Sequence, residues 1–404
     1  MKKLFSLPAL AVALAAALPF GTAHAAEGVK IGVLTDMSGL FSDISGQGSV
    51  TAVQMAIDDF GGKVLGEPIG LVYADTQNKA DIGAGIARQW YETDHVDMIT
   101  DISNSAVAIA VVDIAASLKK IAIVVGAATS RISNDKCTPY SIHYAFDTIS
   151  WANVTGKAIL KDGGDTWFFL TTDYAFGLAL EKDTAQIVKD AGGKVIGSVK
   201  TPLNTPDFSA FLLSAKSSGA KVIALANSGG DTINAVKQAE EFKITKDGKQ
   251  RLAVLGGYIT DMHSIGLKTA QGLLYTEGFY WDLNDETRAW SKRFFEKVGR
   301  MPTVTQAADY SSVLHYLKAV AAVGSKDSDK VMAAMRKTPV NDMFAKNGII
   351  RPDGRMVHDM YLLQVKKPEE SKYPWDDMIV KAVVPGDEAF QSMEKGSCPL
   401  VKRG

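Results

Sequence analysis

The stretch VKIGVLTDMSGLFSDISGQGSVTAVQMAIDDF, residues 29–60, decides the fold of this chain. It opens with a β-branched run (29–34), passes through a loop rich in Gly and Ser (38–48), and ends in a helical pattern with one apolar face (53–60). The cycle recurs, so we expect strands at 69–74, 96–100 and 121–125 and helices at 82–91 and 106–118. Strands that alternate with helices of this length predict a parallel sheet covered on both faces.

A second series of the same kind follows the loop around Cys137. Its expected helices are 150–161, 178–190, 208–217 and 232–241, and its expected strands are 166–170, 194–199, 221–226 and 252–255. Helices at 287–298, 307–322 and 329–336 come next, followed by a β-like segment at 359–365 and a loop-like region from residue 366. The sequence therefore predicts an α/β protein with two doubly wound parallel sheets.

The composition excludes several classes of protein. The 404 residues carry 44 Lys and Arg against 45 Asp and Glu, so the formal net charge is −1, which lacks the basic footprint of a nucleic-acid binder. Hydrophobic residues make up 46% and charged residues 22%, which excludes intrinsic disorder and fibrous repeats. The length predicts two domains, each with its own core.

The N-terminus has the pattern of a secretory signal peptide. Lys2 and Lys3 precede an apolar run (4–20), and Ala23-His24-Ala25 places small residues where a signal peptidase cleaves. A membrane anchor is the alternative, but Pro8 and Pro19 interrupt the run, which is shorter than the roughly 20 residues of a span. We expect residues 1–25 to be removed and the remaining chain to be soluble in the periplasm.

Cys137 and Cys398 are the two cysteines of the chain. An oxidising compartment favours a disulfide between them over two free thiols. Such a bond would tie the C-terminal segment to the middle of the chain. Neither cysteine has a nearby partner of the C-x-x-C kind, so we expect no metal site.

Enzyme signatures are weak or absent. Asn227-Ser228-Gly229-Gly230 follows an expected strand, but it lacks the leading glycine of the G-x-S-x-G nucleophile elbow, so an esterase is disfavoured. The sequence has no phosphate-binding loop, no full dinucleotide fingerprint and no H-E-x-x-H pair. We therefore expect a protein without catalytic activity, cofactor or metal.

The loops after the expected strands carry the candidate binding residues. Ligands of open parallel sheets bind beyond the carboxyl ends of the strands. Ser103-Asn104-Ser105 and Gly126-Ala127-Ala128-Thr129-Ser130 lie there, near helix starts whose free N–H groups favour an anion. Helix capping is the alternative role of such residues.

The second series offers aromatic and amide groups at the matching positions. They are Tyr174, Asn227, Ser228 and Tyr258, with Tyr310 from a later helix as a further candidate. Each could serve only in packing, but after strands that face a cleft they would form a flat wall with hydrogen-bonding tips.

Four motifs together resemble the periplasmic solute-binding proteins of ABC importers, in the leucine/isoleucine/valine-binding-like family with the type I periplasmic binding fold. The motifs are KIGVLTDMSG (30–39), GAATS (126–130), DYAFG (173–177) and AQGLL (270–274). The resemblance implies two doubly wound lobes, 26–146 plus 279–352 and 147–278 plus 353–404. It also implies three crossovers, near 145–148, 276–280 and 350–358, about which the lobes close over a small ligand.

The resemblance also implies roles for single residues. Asn104, with Ser105 beside it, matches the position that binds a ligand carboxylate. Ala127 and Thr129, which flank Ala128, match the pair that supplies backbone and hydroxyl contacts, and Tyr174 matches a tyrosine that closes over the ligand. Amino-acid-binding members place an acid where this chain has Tyr258, with Asp261 displaced nearby.

Because an ammonium without a carboxylate partner is costly to bury, Tyr258 favours a ligand with a carboxylate and no amine. The sequence also resembles the branch of the family that binds aromatic acids. We expect a monomer that captures a small organic acid, preferably aromatic, and delivers it to an ABC permease in the inner membrane. The alternatives are a branched-chain or other aliphatic amino acid as ligand, or a periplasmic sensor that signals to a membrane receptor.

Overall fold

The computed structural model describes residues 28–401. The expected signal peptide, residues 1–25, lies outside this range. Between residues 28 and 401 no helix combines the length and the apolar character that crossing a membrane requires.

The strands alternate with the helices along the chain, as the sequence predicts. The strands are β1 (Lys30–Thr35), β2 (Lys63–Val64), β3 (Glu67–Pro68), β4 (Gly70–Asp75), β5 (Met98–Asp101), β6 (Ile121–Val124), β7 (Ser141–His143), β8 (Thr166–Thr172), β9 (Lys194–Thr201), β10 (Val222–Ser228), β11 (Arg251–Gly256), β12 (Leu274–Glu277), β13 (Ile349–Ile350), β14 (Met356–Val357), β15 (Met360–Val365) and β16 (Met378–Val384).

The helices are α1 (Gly46–Phe60), α2 (Ala80–Glu92), α3 (Ser105–Ser117), α4 (Thr148–Trp151), α5 (Lys157–Lys161), α6 (Ala175–Asp190), α7 (Ser209–Ser217), α8 (Gly230–Glu241), α9 (Ile259–Ile265), α10 (Leu267–Ala270), α11 (Asp285–Val298), α12 (Val304–Val323), α13 (Ser328–Lys337) and α14 (Gly386–Ala389). A π-helical turn, Ala152–Gly156, connects α4 to α5, so the single helix expected at 150–161 has a widened middle.

The first sheet has the order β4-β1-β5-β6-β7, with every pair parallel. Its two faces are buried under different helices, because side chains alternate along each strand. Ile31 and Val33 belong to the core on the α1 and α12 side, whereas Leu34 belongs to the core beneath α2 and α3. Gly32 leaves room for the ring of Trp90, since a Cβ there would lie 2.6 Å from it. The double cover explains why these strands are short apolar runs.

The second sheet has the order β11-β10-β8-β9 and is also parallel. An antiparallel sheet, β12-β15-β16, lies beside it. Strand β16 corrects the expectation that the chain from residue 366 is loop-like. The strand pairs on one side only and exposes Val380 and Val383, so it lacks the buried apolar pattern that marks a central strand in sequence. Two doubly wound parallel sheets joined by three crossovers are thus confirmed.

The crossovers are bound to one another by two buried side chains from the third. The guanidinium of Arg355 donates to the carbonyl oxygen of Phe146 over 2.8 Å and reaches the carboxylate of Asp147 over 3.3 Å, both in the first crossover. His358 Nε2 lies 2.7 Å from the carbonyl oxygen of Ala145. Gly278, in the second crossover, packs against both, since a Cβ there would lie 2.7 Å from the His358 ring and 3.2 Å from the Ala145 oxygen. The three connections therefore form one packed unit.

The disulfide expected from the sequence is present. Cys137 and Cys398 are bonded, with their Cα atoms 5.6 Å apart and a sequence separation of 261. Nearby, the Ser397 backbone N–H donates to Asn134 Oδ1 over 2.8 Å. The C-terminal segment is thereby fixed against the loop that precedes β7.

We expect the double variant Cys137→Ser, Cys398→Ser to lose about 2–5 kcal/mol of unfolding free energy, because a bond that closes so long a loop restricts the unfolded chain. Urea unfolding followed by circular dichroism measures the loss. A reductant should destabilise the wild type and leave the double variant unchanged. Equal stability of the variant and the oxidised wild type would contradict a bond that holds the native state.

Gly278→Ala should destabilise the packed crossovers by about 1–3 kcal/mol, because the added methyl overlaps the His358 ring. The matched control is Gly85→Ala in α2, where nothing lies within 4 Å of the added carbon. This control should be as stable as the wild type or more so, since Ala is the better helix former. Urea midpoints of the two variants compare them, and equal midpoints would refute the tight packing.

A cleft at the carboxyl ends of the two parallel sheets

A narrow cleft with about 20 Å³ of space open to water lies where the loops after the strands of both sheets meet. Because all strands of a parallel sheet end at the same edge, these loops converge. The lining residues come from both sides: Phe41, Ile44, Ser45, Ser103, Ser105, Gly126 and Ala128 from the first sheet, and Tyr174, Phe176, Ser228 and Tyr258 from the second.

The loop after β1 is shaped by one buried carboxylate. Asp36 accepts from the backbone N–H groups of Gly39 and Phe41, each over 2.8 Å, and from Asn78 Nδ2 over 2.6 Å. These bonds place Phe41 at the cleft, followed by Ile44 and by Ser45 at the start of α1. Sequence reasoning did not single out these three lining residues. Their position directly after the first strand is the signal that could have identified them.

The first wall presents small side chains and hydroxyls. Ser105 Oγ accepts from the backbone N–H of Thr129 over 3.3 Å, which ties the start of α3 to the loop after β6. Ser103 Oγ is buried without a hydrogen-bond partner. Gly126 and Ala128 line the cleft beside them and leave the backbone accessible. This wall therefore offers neutral donors and no formal charge.

The second wall is aromatic and rigid. Tyr174 lies 5.9 Å from Phe176, and both Phe176 and Tyr258 meet the ring of Trp151 edge-on at 6.0 Å, measured between ring centroids. Trp151 in turn stacks on Phe146 at 4.7 Å. Burial raises the pKa of the Tyr174 and Tyr258 hydroxyls, so both stay protonated and able to donate.

Five of the candidate residues line the cleft, namely Ser105, Ala128, Tyr174, Ser228 and Tyr258. Asn104, Ala127, Thr129, Asn227 and Tyr310 are not among the lining residues. Asn104 caps α3, with its side-chain oxygen accepting from Ala106 and Val107, and the carbonyl oxygen of Ala127 bonds His143 Nε2 over 2.8 Å.

The other three candidates have partners or surroundings of their own. Asn227 Oδ1 accepts from Thr232 Oγ1 over 2.8 Å, and Thr129 is fully buried with its hydroxyl unpartnered. Tyr310 donates to Asp59 over 2.7 Å and packs on Trp290, so it belongs to the outer packing of α12.

Two buried carboxyl groups lie behind the aromatic wall. Asp261 accepts from the backbone N–H of Tyr258 over 3.2 Å, and Glu277 accepts from that of Ile259 over 2.8 Å. Burial raises the pKa of Asp261 to about 8 and that of Glu277 well above its usual range. Neither lines the cleft.

The two walls touch at the rim. The carbonyl oxygen of Leu40 lies so near Gly229 that a Cβ there would be 2.7 Å from it. Elsewhere along the junction, Ser130 Oγ donates to Asp183 Oδ2 over 2.8 Å. A larger groove of about 670 Å³ lies outside the cleft, and its lining includes four acidic residues, Asp183, Asp190, Asp387 and Glu388, and two basic ones, Lys157 and Lys395. Acidic side chains therefore outnumber basic ones there, which disfavours a carboxylate ligand.

The comparisons with known proteins agree with this architecture. The sequence profile of the periplasmic binding protein family matches residues 28–372. A solved periplasmic binding protein from Burkholderia mallei is 54% identical with a TM-score of 0.91, covering 93% of this chain and 99% of that one. A branched chain amino acid ABC transporter periplasmic ligand-binding protein from Burkholderia xenovorans LB400 is 41% identical with a TM-score of 0.81, covering 92% and 99%.

More distant proteins share the same fold. A Leu/Ile/Val-binding protein homolog from Brucella melitensis is 26% identical over 92% of this chain and 95% of its own length. A solute binding protein of an ABC transporter from R. palustris, solved in complex with benzoate, is 19% identical with a TM-score of 0.81, covering 93% and 100%. The resemblance read from the four motifs is confirmed, and the esterase alternative is excluded with it. The chain belongs to the periplasmic binding protein family, among the substrate-binding proteins of ABC transporters, and is not an enzyme.

Proposed function

We propose that this protein captures a small carboxylate without an amine, with an aromatic acid preferred, and delivers it to the permease of an ABC importer. The lobes would be 26–146 plus 279–352 and 147–278 plus 353–404, closing about the crossovers. The observation that carries the proposal is a cleft with neutral donors on one wall and aromatic rings on the other.

The hydroxyl wall supports the carboxylate. Ser103 and Ser105 line the cleft on either side of Asn104, the N-cap of a 13-residue helix, where the helix dipole favours negative charge. The unpartnered Ser103 hydroxyl is a free donor within this wall. A carboxylate there would gain charge-assisted hydrogen bonds without a lysine or arginine.

The aromatic wall supports a flat apolar body. Tyr174, Phe176 and Tyr258 are fixed by their contacts with one another and with Trp151, so their faces are preorganised. Aromatic rings stack or meet edge-on with such surfaces at little entropic cost. The cleft has room for about one water molecule, so a ligand must widen it, and a single ring needs less widening than a large solute.

An aliphatic amino acid is the second candidate, since relatives are named for branched-chain amino acids. Its ammonium would need an acceptor. Asp261, which lies behind the wall, already accepts from the backbone of Tyr258, and its raised pKa leaves it largely protonated at neutral pH. The lining residues of the cleft therefore favour a ligand without an ammonium.

A calorimetric panel of benzoate, 4-hydroxybenzoate, cinnamate and leucine tests the proposal. We expect at least one aromatic acid to bind and leucine to bind at least about tenfold more weakly, since an ammonium in this cleft has no free carboxylate partner. Benzamide, which lacks the charge, serves as the matched control and should bind more weakly than benzoate. Tight binding of leucine with no aromatic acid bound would refute the proposal.

Ser105→Ala should weaken binding of the preferred acid about tenfold or more, because a hydrogen bond to a charged group is lost. Ser117→Ala, at the far end of the same helix, should leave the affinity unchanged, because its hydroxyl only bonds the carbonyl oxygen of Ile114. Calorimetry gives both affinities, and thermal melts confirm that both variants fold. If both variants bind like the wild type, Ser105 plays no part in the carboxylate site.

A further inference from the structure

A pair of buried aspartates lies directly behind the hydroxyl wall. Asp101 ends β5, and Asp309 lies in α12, which packs against that strand. Both residues are fully buried. Neither belongs to the residues that line the cleft.

The pair is in contact with the lining of the cleft. Ser45 Oγ donates to Asp101 Oδ1 over 3.1 Å, and Ser45 itself lines the cleft. Gly126, another lining residue, packs on the same oxygen, since a Cβ there would lie 2.7 Å from it. One layer of small residues therefore separates the Asp101 carboxyl from whatever occupies this side of the cleft.

The pair lacks a compensating positive charge. Thr100 Oγ1 donates to Asp309 Oδ1 over 3.1 Å, but Asp101 Oδ2, Asp309 Oδ2 and the nearby Ser49 Oγ are buried without hydrogen-bond partners. The groups that face Asp101 are the hydroxyls of Thr35, Ser45 and Ser49 and the carboxylates of Asp36 and Asp309, and those that face Asp309 are Thr100, Ser49 and Asp101. Two carboxylates so placed cannot both ionise without a large cost.

Burial sets the protonation state of the pair accordingly. It raises the pKa of Asp101 to about 7 and that of Asp309 well above its usual range, and the charge of Asp101 raises the pKa of Asp309 further. The pair therefore holds at least one proton at neutral pH, and a second proton is in exchange near pH 7.

We propose that a carboxylate ligand binds together with one proton, which the Asp101–Asp309 pair takes up from solvent. The proposal rests on the proposed function, because it needs an anion against the hydroxyl wall. An anion beside Ser45 and Gly126 adds negative charge near the pair and favours its protonated form. By linkage, protonation of the pair must strengthen ligand binding by the same factor.

The sign of the pH dependence follows. The pair has a higher pKa in the bound protein than in the free protein, so affinity is highest below pH about 7 and is lost as the pH rises above it. The dissociation constant should rise by up to about tenfold per pH unit above this point. Benzoate stays ionised throughout this range, so the ligand contributes no proton of its own.

Calorimetry with benzoate at pH 7.5, in Tris and in PIPES, measures the proton taken up, since the two buffers differ in heat of ionisation. We expect the wild type to take up as much as about one proton and the double variant Asp101→Asn, Asp309→Asn to take up none. The control is Asp97→Asn, at the position just before β5, which should leave the proton uptake unchanged. The proposal is overturned if the wild type gives the same heat of binding in both buffers and its dissociation constant is constant from pH 6 to 8.5. Heat that depends on sodium concentration instead of the buffer overturns it as well.

A second measurement tests the aspartate pair without a ligand. It is needed because a failure of benzoate to bind would contradict only the proposed function. In NMR spectra of the free protein with 13C-labelled aspartate, a carboxyl signal that titrates near pH 7 should be missing in Asp101→Asn, whereas the signals of Asp231, near pH 6, and Asp261, near pH 8, should remain. Absence of such a signal in the wild type overturns the pair as a proton acceptor, whatever the ligand.

Discussion

The buried guanidinium of Arg355 joins the first crossover between the two sheets to the third. It bonds the carbonyl oxygen of Phe146 and the carboxylate of Asp147, and its Cζ lies over the ring of Phe390, 4.7 Å from the ring centroid. Burial lowers its pKa to about 10, which still leaves it charged at neutral pH. A buried cation that lost these partners would be strongly destabilised. The first and third crossovers are therefore bound tightly to each other.

Once the crossovers are fixed, the edges of the two sheets must face each other. Each strand end then delivers a loop to the cleft, and the chemistry of the site depends on which small or aromatic residue occupies each loop. The chain has a net charge of −1, and no basic side chain is among the residues that line the cleft. Recognition of an anion would rest on dipoles and hydroxyls, whose strength depends on exclusion of water by closure.

Residue patterns predicted the fold well because burial on both faces leaves a clear mark in sequence. The strand at 121–125 and the helix at 106–118 are within one residue of β6 and α3. Strand β16 was not predicted, because an edge strand with exposed valines lacks the continuous apolar pattern of a strand buried on both faces.

The site was predicted less completely, because sequence places a residue after a strand but does not orient its side chain. Asn104 occupies the expected loop, yet its oxygen is used by the N–H groups of its own helix. Asp101 was missed in the sequence because its position suggests an exposed loop residue. As the last residue of a strand it looks like one more loop carboxylate, and only the packing of α12 shows that it meets a second acid.

The unpartnered buried groups show where stability and binding compete. An orphaned buried polar atom costs about 1–3 kcal/mol, so a fold retains few of them. Around this cleft Ser103 Oγ, Thr129 Oγ1 and Asn227 Nδ2 lack partners, and Asp101 Oδ2 lies one layer behind. Ser103 and Thr129 follow strands of the first parallel sheet, Asp101 ends β5, and Asn227 is the next-to-last residue of β10. Other unpartnered buried atoms, such as Trp290 Nε1 in α11 and Arg336 Nε in α13, do not border the cleft. An orphaned atom therefore points to ligand binding only where, as at Ser103, its residue lines the cleft.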